Sequence, residues 1–384
     1  MKVLFVCNNA YNPGNGLSVS ALNTIKRLRD NGIDARLMAV RNPNPDGPQP
    51  DFPLEHFVFP IFEPIIAANG FCYAKIDRKR LNNAIDWADI VHFEEAMPLE
   101  EVAIKMALKK GKACVATFHL FPHNVTANLG LPKVNFLSPL LMKYWNVKVF
   151  DKCSDIQCPT LICKQYLMAK RTQARFHVIS NGIEIPSERV VTKPYGDMSE
   201  IRLLCIGRLA NEKSQNTLID AMRYSKHARN IRLIFAGNGP KAGKYRRMAS
   251  KLYTDGVVGF EPQFGFYTHE ELAELARKCY LYIHCAWVEV EGLSCLEATR
   301  EGAVPVIAEG RHIGTPQFAI CPQSIYPACD SKALAARIDW WIEHPKDRDL
   351  ASQQYADAAR RFNVNDSIKA IIAMYETAIA DSKQ

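Results

Sequence analysis

The strongest constraint on the fold of this chain is an alternation of short apolar runs with amphipathic helical patterns. Residues 3–6 form a β-branched and aromatic run typical of a buried strand, and residues 17–30 carry apolar side chains on one helical stripe. Further strands are predicted at 35–40, 90–91 and 114–117, with a helix at 100–110. Strands that alternate with helices form parallel sheets covered by helices, so we predict an α/β fold.

The same alternation restarts near residue 200. Strands are predicted at 202–206, 231–236, 281–283 and 304–308, and helices at 215–224, 269–278 and 293–301. A chain of 384 residues is too long for one hydrophobic core, and its segment 180–199 is rich in proline and polar residues. We therefore predict two Rossmann-like domains, at 1–180 and 181–364, followed by a last helix at 365–384.

The cysteines give no indication of a metal site. The chain has 12 of them, scattered along its length, and the nearest approach to a cluster is Cys153, Cys158 and Cys163. Their spacing differs from that of a zinc site, and no paired histidines accompany them. We expect buried free thiols, a reducing compartment, and no metal or other cofactor. No apolar run approaches the roughly 20 residues of a membrane span and no signal-peptide pattern is visible, so we expect a cytoplasmic protein.

The positive charge is concentrated in the first half of the chain. Residues 1–175 contain 22 Lys and Arg against 15 Asp and Glu, whereas the remainder contains 26 against 25. This imbalance favours an acidic partner, such as anionic lipid or a phosphorylated acceptor, or else it is a solvated basic face. Nucleic acid is disfavoured because neither an arginine-rich arm nor zinc-finger spacing is present.

Two glutamates around a predicted helix start form the most informative motif. Glu289 and Glu297 flank Gly292, Leu293 and Ser294, which follow a strand predicted to end near Cys285. Free backbone amides at a helix N-terminus bind phosphate, and glycine permits close approach of the backbone. Carboxylates accept hydrogen bonds from sugar hydroxyls. The alternative is a pair of surface glutamates beside an ordinary helix start.

A second motif places two cations after a strand and a glycine. Gly207 is followed by Arg208 and, five residues later, by Lys213. Arg208 could bind a diphosphate through paired hydrogen bonds from its planar guanidinium, and Lys213 through the single charge of its ammonium group. The two cations would then neutralise the charge of the diphosphate, as a metal ion does in other proteins.

Taken together, these stretches resemble the GT-B glycosyltransferases, in particular the large retaining family numbered four, with its Glu-x7-Glu signature. The second half matches almost throughout, at residues 178–184, 206–213, 235–240, 264–266, 289–297 and 302–306. The resemblance implies two facing Rossmann-like domains with an interdomain cleft, an N-terminal domain that binds the acceptor, and a C-terminal domain that binds the nucleotide sugar. It also implies that the last helix, at 365–384, crosses back to the N-terminal domain. Departures are Cys285-Ala286 in place of Pro-Ser and Gly14-Asn15-Gly16 in place of Gly-Gly.

The resemblance also assigns roles to single residues. It implies that Arg208 and Lys213 bind the donor diphosphate, that Glu289 contacts the transferred sugar, and that Glu297 holds the ribose. His119, at a strand end, would approach the donor sugar, so the implied catalytic residues are His119, Arg208, Lys213 and Glu289. The remaining implied donor-binding residues are Gly14, Gly16, Gly207, Phe264, Gly265, Phe266, Gly292, Leu293 and Ser294.

The resemblance further implies transfer with retention at the anomeric carbon, without a separate strong base. An inverting enzyme would need a carboxylate base, for which Glu94 or Glu95 could serve unless they are a solvated loop pair. A UDP-hexose is the favoured donor, and the acceptor is a membrane lipid, a glycan or a lipid-linked precursor. A nucleotide-sugar epimerase of the same fold and a non-catalytic nucleotide-sugar-binding protein remain as alternatives.

One segment of the first half has the composition of a helix on a membrane surface. Residues 134–152 mix large apolar residues, including Leu140, Tyr144 and Trp145, with lysines such as Lys143 and Lys148. This segment predicts a peripheral association with the inner face of the membrane and a lipid acceptor. The alternative is an ordinary helix packed on the edge of the sheet.

Overall fold

The computed structural model describes residues 1–12, 15–61, 63–68, 70–128, 137–196 and 198–383, without the side chains at 65 and 68. Their contacts divide the chain into two compact units. Unit 1 comprises Met1–Asn181 and Val364–Gln384, and unit 2 comprises Gly182–Asn363.

Unit 1 is built on a seven-stranded sheet with the order β3-β2-β1-β6-β7-β8-β9, in which every pairing is parallel. Strands β4 and β5 form a separate antiparallel hairpin. The strands are β1 (Lys2–Val6), β2 (Asp34–Val40), β3 (Phe52–Leu54), β4 (His56–Phe57), β5 (Tyr73–Ala74), β6 (Ile90–Phe93), β7 (Ala113–Thr117), β8 (Asp155–Cys158) and β9 (Arg175–Val178). The helices are α1 (Gly16–Asp30), α2 (Glu63–Ala68), α3 (Arg78–Trp87), α4 (Pro98–Lys109), α5 (Pro122–Asn128), α6 (Leu137–Lys148) and α7 (Leu161–Ala169).

Burial explains why these segments form a helix-covered sheet. Val3, Leu4, Phe5 and Val6 of β1 are completely buried, as expected for a central parallel strand covered on both faces. Helix α1 begins where the Asn15 side chain accepts a hydrogen bond from the Leu17 amide at 3.1 Å, and its stripe packs into the same core.

Unit 2 contains a six-stranded, entirely parallel sheet with the order β12-β11-β10-β13-β14-β15. Its strands are β10 (Ile201–Ile206), β11 (Ile231–Ala236), β12 (Gln263–Gly265), β13 (Leu281–His284), β14 (Val304–Glu309) and β15 (Ile325–Pro327). Its helices are α8 (Asn216–Ala221), α9 (Ala242–Thr254), α10 (His269–Lys278), α11 (Leu293–Arg300), α12 (Ser331–Glu343) and α13 (Pro345–Ala359). The two parallel sheets confirm the predicted α/β class.

Helix α8 is shorter than the helix predicted at 215–224. Beyond it the chain continues in turns. In these turns the amides of Arg223 and Tyr224 donate hydrogen bonds to the carbonyls three residues earlier, those of Asp220 and Ala221. These tighter bonds belong to turns rather than to an α-helix, so the periodic pattern extends past the regular helix.

The last helix, α14 (Val364–Asp381), belongs to unit 1. Its buried residues Ile368, Ile371, Met374 and Tyr375 join the core that contains Phe5. Among the helices in the described ranges, none has the length and hydropathy needed to cross a bilayer.

Candidate functional site

The strand order of unit 2 reverses between β10 and β13, which are neighbours in the sheet but not in sequence. Ligands of open α/β sheets bind beyond the carboxyl ends of the strands at such a switch point. Residues 207–213 follow β10, and residues 285–293 follow β13. Both motifs singled out in the sequence therefore lie at the same switch point.

Lys213 and Glu289 are in direct contact there, although 76 residues separate them in sequence. Lys213 Nζ donates a hydrogen bond to Glu289 Oε2, and Nε2 of His284 lies 3.6 Å from the same oxygen. Burial raises the pKa of Glu289, but the charge of Lys213, the neighbouring imidazole of His284 and the hydrogen bond from Lys213 outweigh it and lower the pKa overall. Glu289 is thus a carboxylate held between an ammonium group and an imidazole.

His284 supports this carboxylate as a neutral group. Its side chain is buried, and burial lowers its pKa to about 4 despite the opposing charge of Glu289. Its Nε2 also lies 3.1 Å from Oγ1 of the buried Thr315. The sequence analysis missed both residues, because a single histidine at the end of an apolar strand is typical of a core position.

The turn before α11 requires glycine. Gly292 has a φ of +87°, and a Cβ there would lie 2.5 Å from Oγ1 and 2.9 Å from Cγ2 of Thr315. Thr315 therefore packs against the turn on one side and contacts His284 on the other. No other residue type fits this conformation and this space together.

Helix α11 presents its positive end at the switch point. The Cys295 amide is the first to bond back to the carbonyl of Gly292, at 2.9 Å, so the amides of Leu293 and Ser294 precede the helical hydrogen bonding. The Ser294 hydroxyl lies 3.0 Å from that of the buried Tyr282, which orients it. Free amides and the helix dipole make this turn suited to an anionic group.

Glu297 lies one turn inside α11, and its carboxyl group is largely buried. Burial raises the pKa of its carboxyl group, while the charges of His269 and Arg300 lower it less strongly. Within the described part of the chain its side chain makes no hydrogen bond or ion pair. Such a carboxyl group is available to accept hydrogen bonds from ligand hydroxyls.

Arg208 is close to a buried acid that the sequence analysis did not single out. Its guanidinium donates a hydrogen bond to Glu212 Oε1 at 2.5 Å, and Gln215 Nε2 donates to the Arg208 carbonyl at 2.8 Å. The other oxygen of Glu212, Oε2, is buried and has no hydrogen-bond partner among the described residues. An incoming diphosphate would therefore compete with Glu212 for Arg208.

Three glycines bring the loops after β10, β11 and β12 into backbone contact. The Gly207 amide donates to the Ala236 carbonyl at 2.9 Å, and the Gly237 amide donates to the Gly265 carbonyl at 2.7 Å. A Cβ on Gly237 would lie 2.2 Å from the Gly207 carbonyl oxygen. The carboxyl edge of the sheet therefore exposes backbone rather than side chains at these loops.

The two aromatic residues around Gly265 differ in role. Phe264 stacks on Phe235 with ring centroids 4.7 Å apart, and the Arg246 guanidinium lies over its other face at 5.0 Å. Phe266 is 73% exposed. Phe264 therefore packs into the unit, whereas Phe266 presents a ring to solvent beside the loops.

In unit 1, the structure brings His119 together with Glu94. His119 Nε2 lies 2.5 Å from Glu94 Oε2, and both side chains are buried. Burial raises the pKa of Glu94, but the neighbouring imidazoles of His92 and His119 and the hydrogen bond from His119 lower it overall. The pair lines a shallow crevice beyond β6 and β7, together with Trp145 and Phe150.

The alternative that Glu94 and Glu95 form a solvated loop pair is wrong, because both are buried. Glu95 Oε2 accepts hydrogen bonds from the Asn8 amide at 2.9 Å and from its Nδ2 at 2.8 Å. Asn8 Nδ2 also lies 3.1 Å from both oxygens of the buried Glu100. Burial and the charge of Glu95 raise the pKa of Glu100.

Two further predictions concern the N-terminal loop and the membrane-surface segment. Gly14 lies outside the described residues, and Gly16 is the first residue of α1, where no described atom beyond its chain neighbours lies within 4 Å of an added Cβ. The segment 134–152 lies outside the described residues up to position 136 and then forms α6 and a short 3-10 turn. Its inner face, with Met142 and Trp145, is buried, whereas Leu140, Tyr144 and Val147 are exposed.

Among the described residues, no group of three or more His, Cys, Asp or Glu side chains is placed to hold a metal ion. Nine of the cysteines are buried, including Cys153, Cys158 and Cys163, and Cys329 is exposed.

Comparison with known families assigns both halves of the chain. The model described as Glycosyltransferase Family 4 matches residues 14–185, and the model described as Glycosyl transferases group 1 matches residues 193–360. A search of curated protein sequences found no significant match.

Solved structures of the same fold cover nearly the whole chain. HepE from Anabaena in complex with UDP-glucose has 17% identity and a TM-score of 0.72 over 98% of this chain and 100% of its own. Sucrose-phosphate synthase from Thermosynechococcus elongatus has 16% identity and a TM-score of 0.72 over 99% of this chain and 100% of its own.

A further match covers less than half of the chain. The catalytic domain of the cholesterol-α-glucosyltransferase from Helicobacter pylori is 38% identical over 42% of this chain and 99% of its own, with a TM-score of 0.40.

The two family models follow one another along the chain, and the full-length structural matches have the same overall fold. The chain therefore belongs to the glycosyltransferases of the family 4 type, with the GT-B fold.

Proposed function

We propose that this protein is a retaining hexosyltransferase that moves a hexose from a UDP-sugar to an acceptor hydroxyl. The observation that carries the proposal is the grouping at one switch point of Lys213, Arg208, the first amides of α11 and the unpartnered Glu297. Two cations and a helix N-terminus suit a diphosphate, and a free carboxyl group one turn away suits ribose hydroxyls. The UDP-glucose in HepE supports UDP as the nucleotide.

The chemistry follows from where charge develops. As the bond from the anomeric carbon to the diphosphate breaks, negative charge grows on the leaving oxygen. Arg208, Lys213 and the amides of Leu293 and Ser294 would stabilise that charge, so the reaction would need no metal. The acceptor hydroxyl would attack from the same face and pass its proton to the leaving phosphate oxygen. Glu289 would contact the transferred sugar near the reacting carbon.

His119 would approach the donor sugar from unit 1. Because Glu94 is ionised and accepts a hydrogen bond from Nε2, the imidazole is held in one orientation with Nδ1 as its other polar atom. The same contact occupies the carboxylate that an inverting reaction would use as its base, which favours retention.

The acceptor in this proposal is a membrane lipid, a glycan or a lipid-linked precursor, and the protein acts in the cytoplasm at the inner face of the membrane. The exposed face of α6 supports this, since Leu140, Tyr144 and Val147 recur at helical spacing beside Lys143 and Lys148. Lys148 and the Tyr144 hydroxyl both bond to Glu101, at 2.9 and 2.8 Å, which fixes the edge of this face.

The test is product analysis by NMR with UDP-hexoses and a panel of lipid and glycan acceptors. We expect UDP release that requires an acceptor, a product with the anomeric configuration of the donor, and activity that persists in EDTA. An inverted product would assign the base role to unit 1, and a changed sugar without any acceptor would identify an epimerase. Donor binding without transfer to any acceptor would identify a non-catalytic binding protein.

A further inference from the structure

The loop after β14 holds the backbone of Glu289. The Glu289 amide donates a hydrogen bond to the His312 carbonyl at 2.8 Å, and the Gly314 amide donates to the Glu289 carbonyl at 2.8 Å. Glu289 and Ile313 thereby form a parallel bridge, and Ile313 is buried in the core of unit 2. Thr315 follows in the same loop, which therefore positions the Glu289 backbone and the Thr315 hydroxyl together.

The end of β13 places an imidazole behind the Glu289 carboxyl group. His284 is the last residue of β13, its side chain is 4% exposed, and its carbonyl accepts a hydrogen bond from the Tyr326 hydroxyl at 3.4 Å. Its Nε2 lies 3.1 Å from Thr315 Oγ1 and 3.6 Å from Glu289 Oε2. One ring nitrogen therefore faces a hydroxyl group and a carboxylate at once.

The ionised state of Glu289 decides which nitrogen of His284 carries the hydrogen. Burial raises the pKa of Glu289, but the charge of Lys213 and the other polar neighbours lower it overall. The carboxylate oxygens therefore only accept hydrogen bonds, and they repel the lone pair of a nitrogen. Burial lowers the pKa of His284 to about 4, so the neutral imidazole has a single N–H group. That hydrogen lies on Nε2, where it is donated to Thr315 Oγ1 beside Glu289.

Lys213 and His284 approach the same oxygen of Glu289. Lys213 donates a hydrogen bond to Oε2, whereas His284 Nε2, at 3.6 Å, is too distant for one. The Glu289 side chain is 16% exposed, and its other polar neighbour in the described part of the chain is the Val290 amide. If Lys213 moves away, Oε2 loses its donor in a largely buried position. That loss is costly for a carboxylate unless another donor replaces it.

The proposed function draws Lys213 away from Glu289. A diphosphate carries more negative charge than one carboxylate, so it attracts the ammonium group more strongly. The Lys213 side chain is 26% exposed and ends on a flexible stem, which allows this movement. Engagement of the diphosphate therefore lengthens the contact between Lys213 and Glu289.

We propose that His284 is a positioning residue that takes over Glu289 Oε2 when Lys213 engages the donor diphosphate. The Nε2–H group turns from Thr315 Oγ1 to the carboxylate and keeps it in place. A neutral donor fixes the carboxylate without cancelling its charge, which stays available to the positive charge that develops on the transferred sugar. This inference rests on the proposed function for the diphosphate, but not for the contacts of His284.

The first test compares variants in steady-state kinetics with a UDP-hexose. His284→Phe keeps a ring and removes the N–H group, whereas His284→Gln keeps a side-chain donor. We expect His284→Phe to lower kcat about tenfold or more with KM unchanged, and His284→Gln to recover most of the loss. Thr315→Val, which removes the hydroxyl, should lower kcat less. The control is His344→Phe, which changes an exposed histidine of unit 2 and should leave both constants unchanged.

The second test follows the imidazole N–H group by NMR of protein whose histidines carry a nitrogen isotope label. The resonance that is missing from His284→Gln belongs to His284 and should show the hydrogen on Nε2. It should move downfield when UDP is added to the wild type, because a hydrogen bond to a carboxylate is shorter and stronger than one to a hydroxyl. In Lys213→Ala it should lie downfield without UDP, because Glu289 Oε2 has lost its other donor.

Several results would overturn the positioning role. These are wild-type kcat in His284→Phe, equal losses of kcat in His284→Phe and His284→Gln, and a hydrogen on Nδ1. A His284 resonance that Lys213→Ala leaves in place would also overturn it. Should His284→Phe fail to fold, the Gln variant and the Lys213→Ala spectrum decide the question.

The thermal shift produced by UDP separates this inference from the proposed function. Absence of that shift in the wild type would refute the proposed function. The Lys213→Ala spectrum needs no ligand, so it would still decide whether His284 replaces Lys213 at Glu289. A retained UDP shift with an unmoved His284 resonance would refute the positioning role alone.

Discussion

At the scale of single residues, the charge of Lys213 is assigned interactions with two groups. Its ammonium group contacts Glu289, and in the proposed reaction it also neutralises the departing diphosphate. Lys213→Ala should therefore lower kcat by about 100-fold or more, because a charge aimed at the leaving group acts mainly in the transition state. Steady-state kinetics with a UDP-hexose measures the effect.

The control for this variant is Lys244→Ala, which removes an exposed cation from the same unit. It should leave kcat unchanged. If Lys213→Ala were as active as the wild type, the assignment of Lys213 to the diphosphate would fail.

Gly292 provides a second prediction at this scale. Gly292→Ala should destabilise unit 2 by about 1–2 kcal/mol and weaken donor binding, because the new Cβ meets Thr315 and the backbone keeps φ near +87°. Chemical denaturation and UDP titration measure both effects. Gly243→Ala in α9, where a new Cβ would meet only Arg247 Nη1 at 3.5 Å among the described atoms, should leave stability unchanged or raised. Equal effects of the two substitutions would exclude Thr315 as the cause.

Two buried histidines make stability dependent on pH. Burial lowers the pKa of His92 and of His284 to about 4, below the value near 6.5 of an unfolded chain. Between these values the unfolded state binds protons that the folded state does not, so their contribution to stability is complete above about pH 6.5 and is lost as the pH falls towards 4.

Each histidine should therefore cost about 2 kcal/mol of stability when the pH falls from 7.5 to 5. Urea denaturation of the wild type and of His92→Gln at both pH values isolates the contribution of His92. The variant should lose about 2 kcal/mol less than the wild type over this interval. An identical loss in both proteins would show that His92 is not held neutral.

At the scale of elements, a chain of hydrogen bonds connects α14 to the sheet of unit 1. Gln157 Nε2 donates a hydrogen bond to the Ile179 carbonyl at 3.1 Å. This bond orients the side-chain amide so that Gln157 Oε1 accepts a hydrogen bond from the Thr117 hydroxyl at 3.0 Å. Thr117 must then accept from His92 Nε2 at 2.7 Å, so His92 Nδ1 accepts from the Tyr375 hydroxyl at 2.5 Å. A neutral imidazole is the form that this chain requires.

Tyr375→Phe should therefore destabilise the protein by about 1–2 kcal/mol, since it leaves His92 Nδ1 buried without its donor. The readout is the free energy of unfolding, and the control is Tyr253→Phe, which changes an exposed tyrosine. Loss of stability in the control alone would contradict the assignment.

The sequence predicted elements best where local signals coincided. Strand β11 and helix α10 have the predicted bounds, and α10 begins with a capping box in which Thr268 and Glu271 exchange hydrogen bonds. The same reasoning overextended α8, because its apolar pattern continues through turns. The spacing of apolar residues indicates which side chains face the core. It does not distinguish a helix from a series of turns that buries the same side chains.

The candidate site shows a different limit. The residue types of Lys213 and Glu289 indicated anion and sugar binding separately, but their contact depends on β10 and β13 being neighbours in the sheet. His284 and Thr315 carried no motif, and only the folded structure shows that they lie behind Glu289 and Gly292. Contacts between residues distant in sequence come from strand order, which no local pattern encodes.

At the scale of the whole molecule, each unit carries its own sheet and its own group of candidate residues. Unit 2 holds Arg208, Lys213, Glu289 and Glu297, and unit 1 holds His119 and Glu94. In the proposed function, unit 2 therefore binds the donor and unit 1 binds the acceptor.

The central claim is that unit 2 binds a nucleoside diphosphate, and a thermal-shift panel tests it most directly. UDP, GDP, ADP and their common sugar conjugates are compared with and without magnesium, because a ligand that binds only the folded state raises the melting temperature. The account predicts a rise with UDP and a UDP-hexose that is independent of magnesium and is lost in Lys213→Ala. No rise with any nucleotide would contradict it.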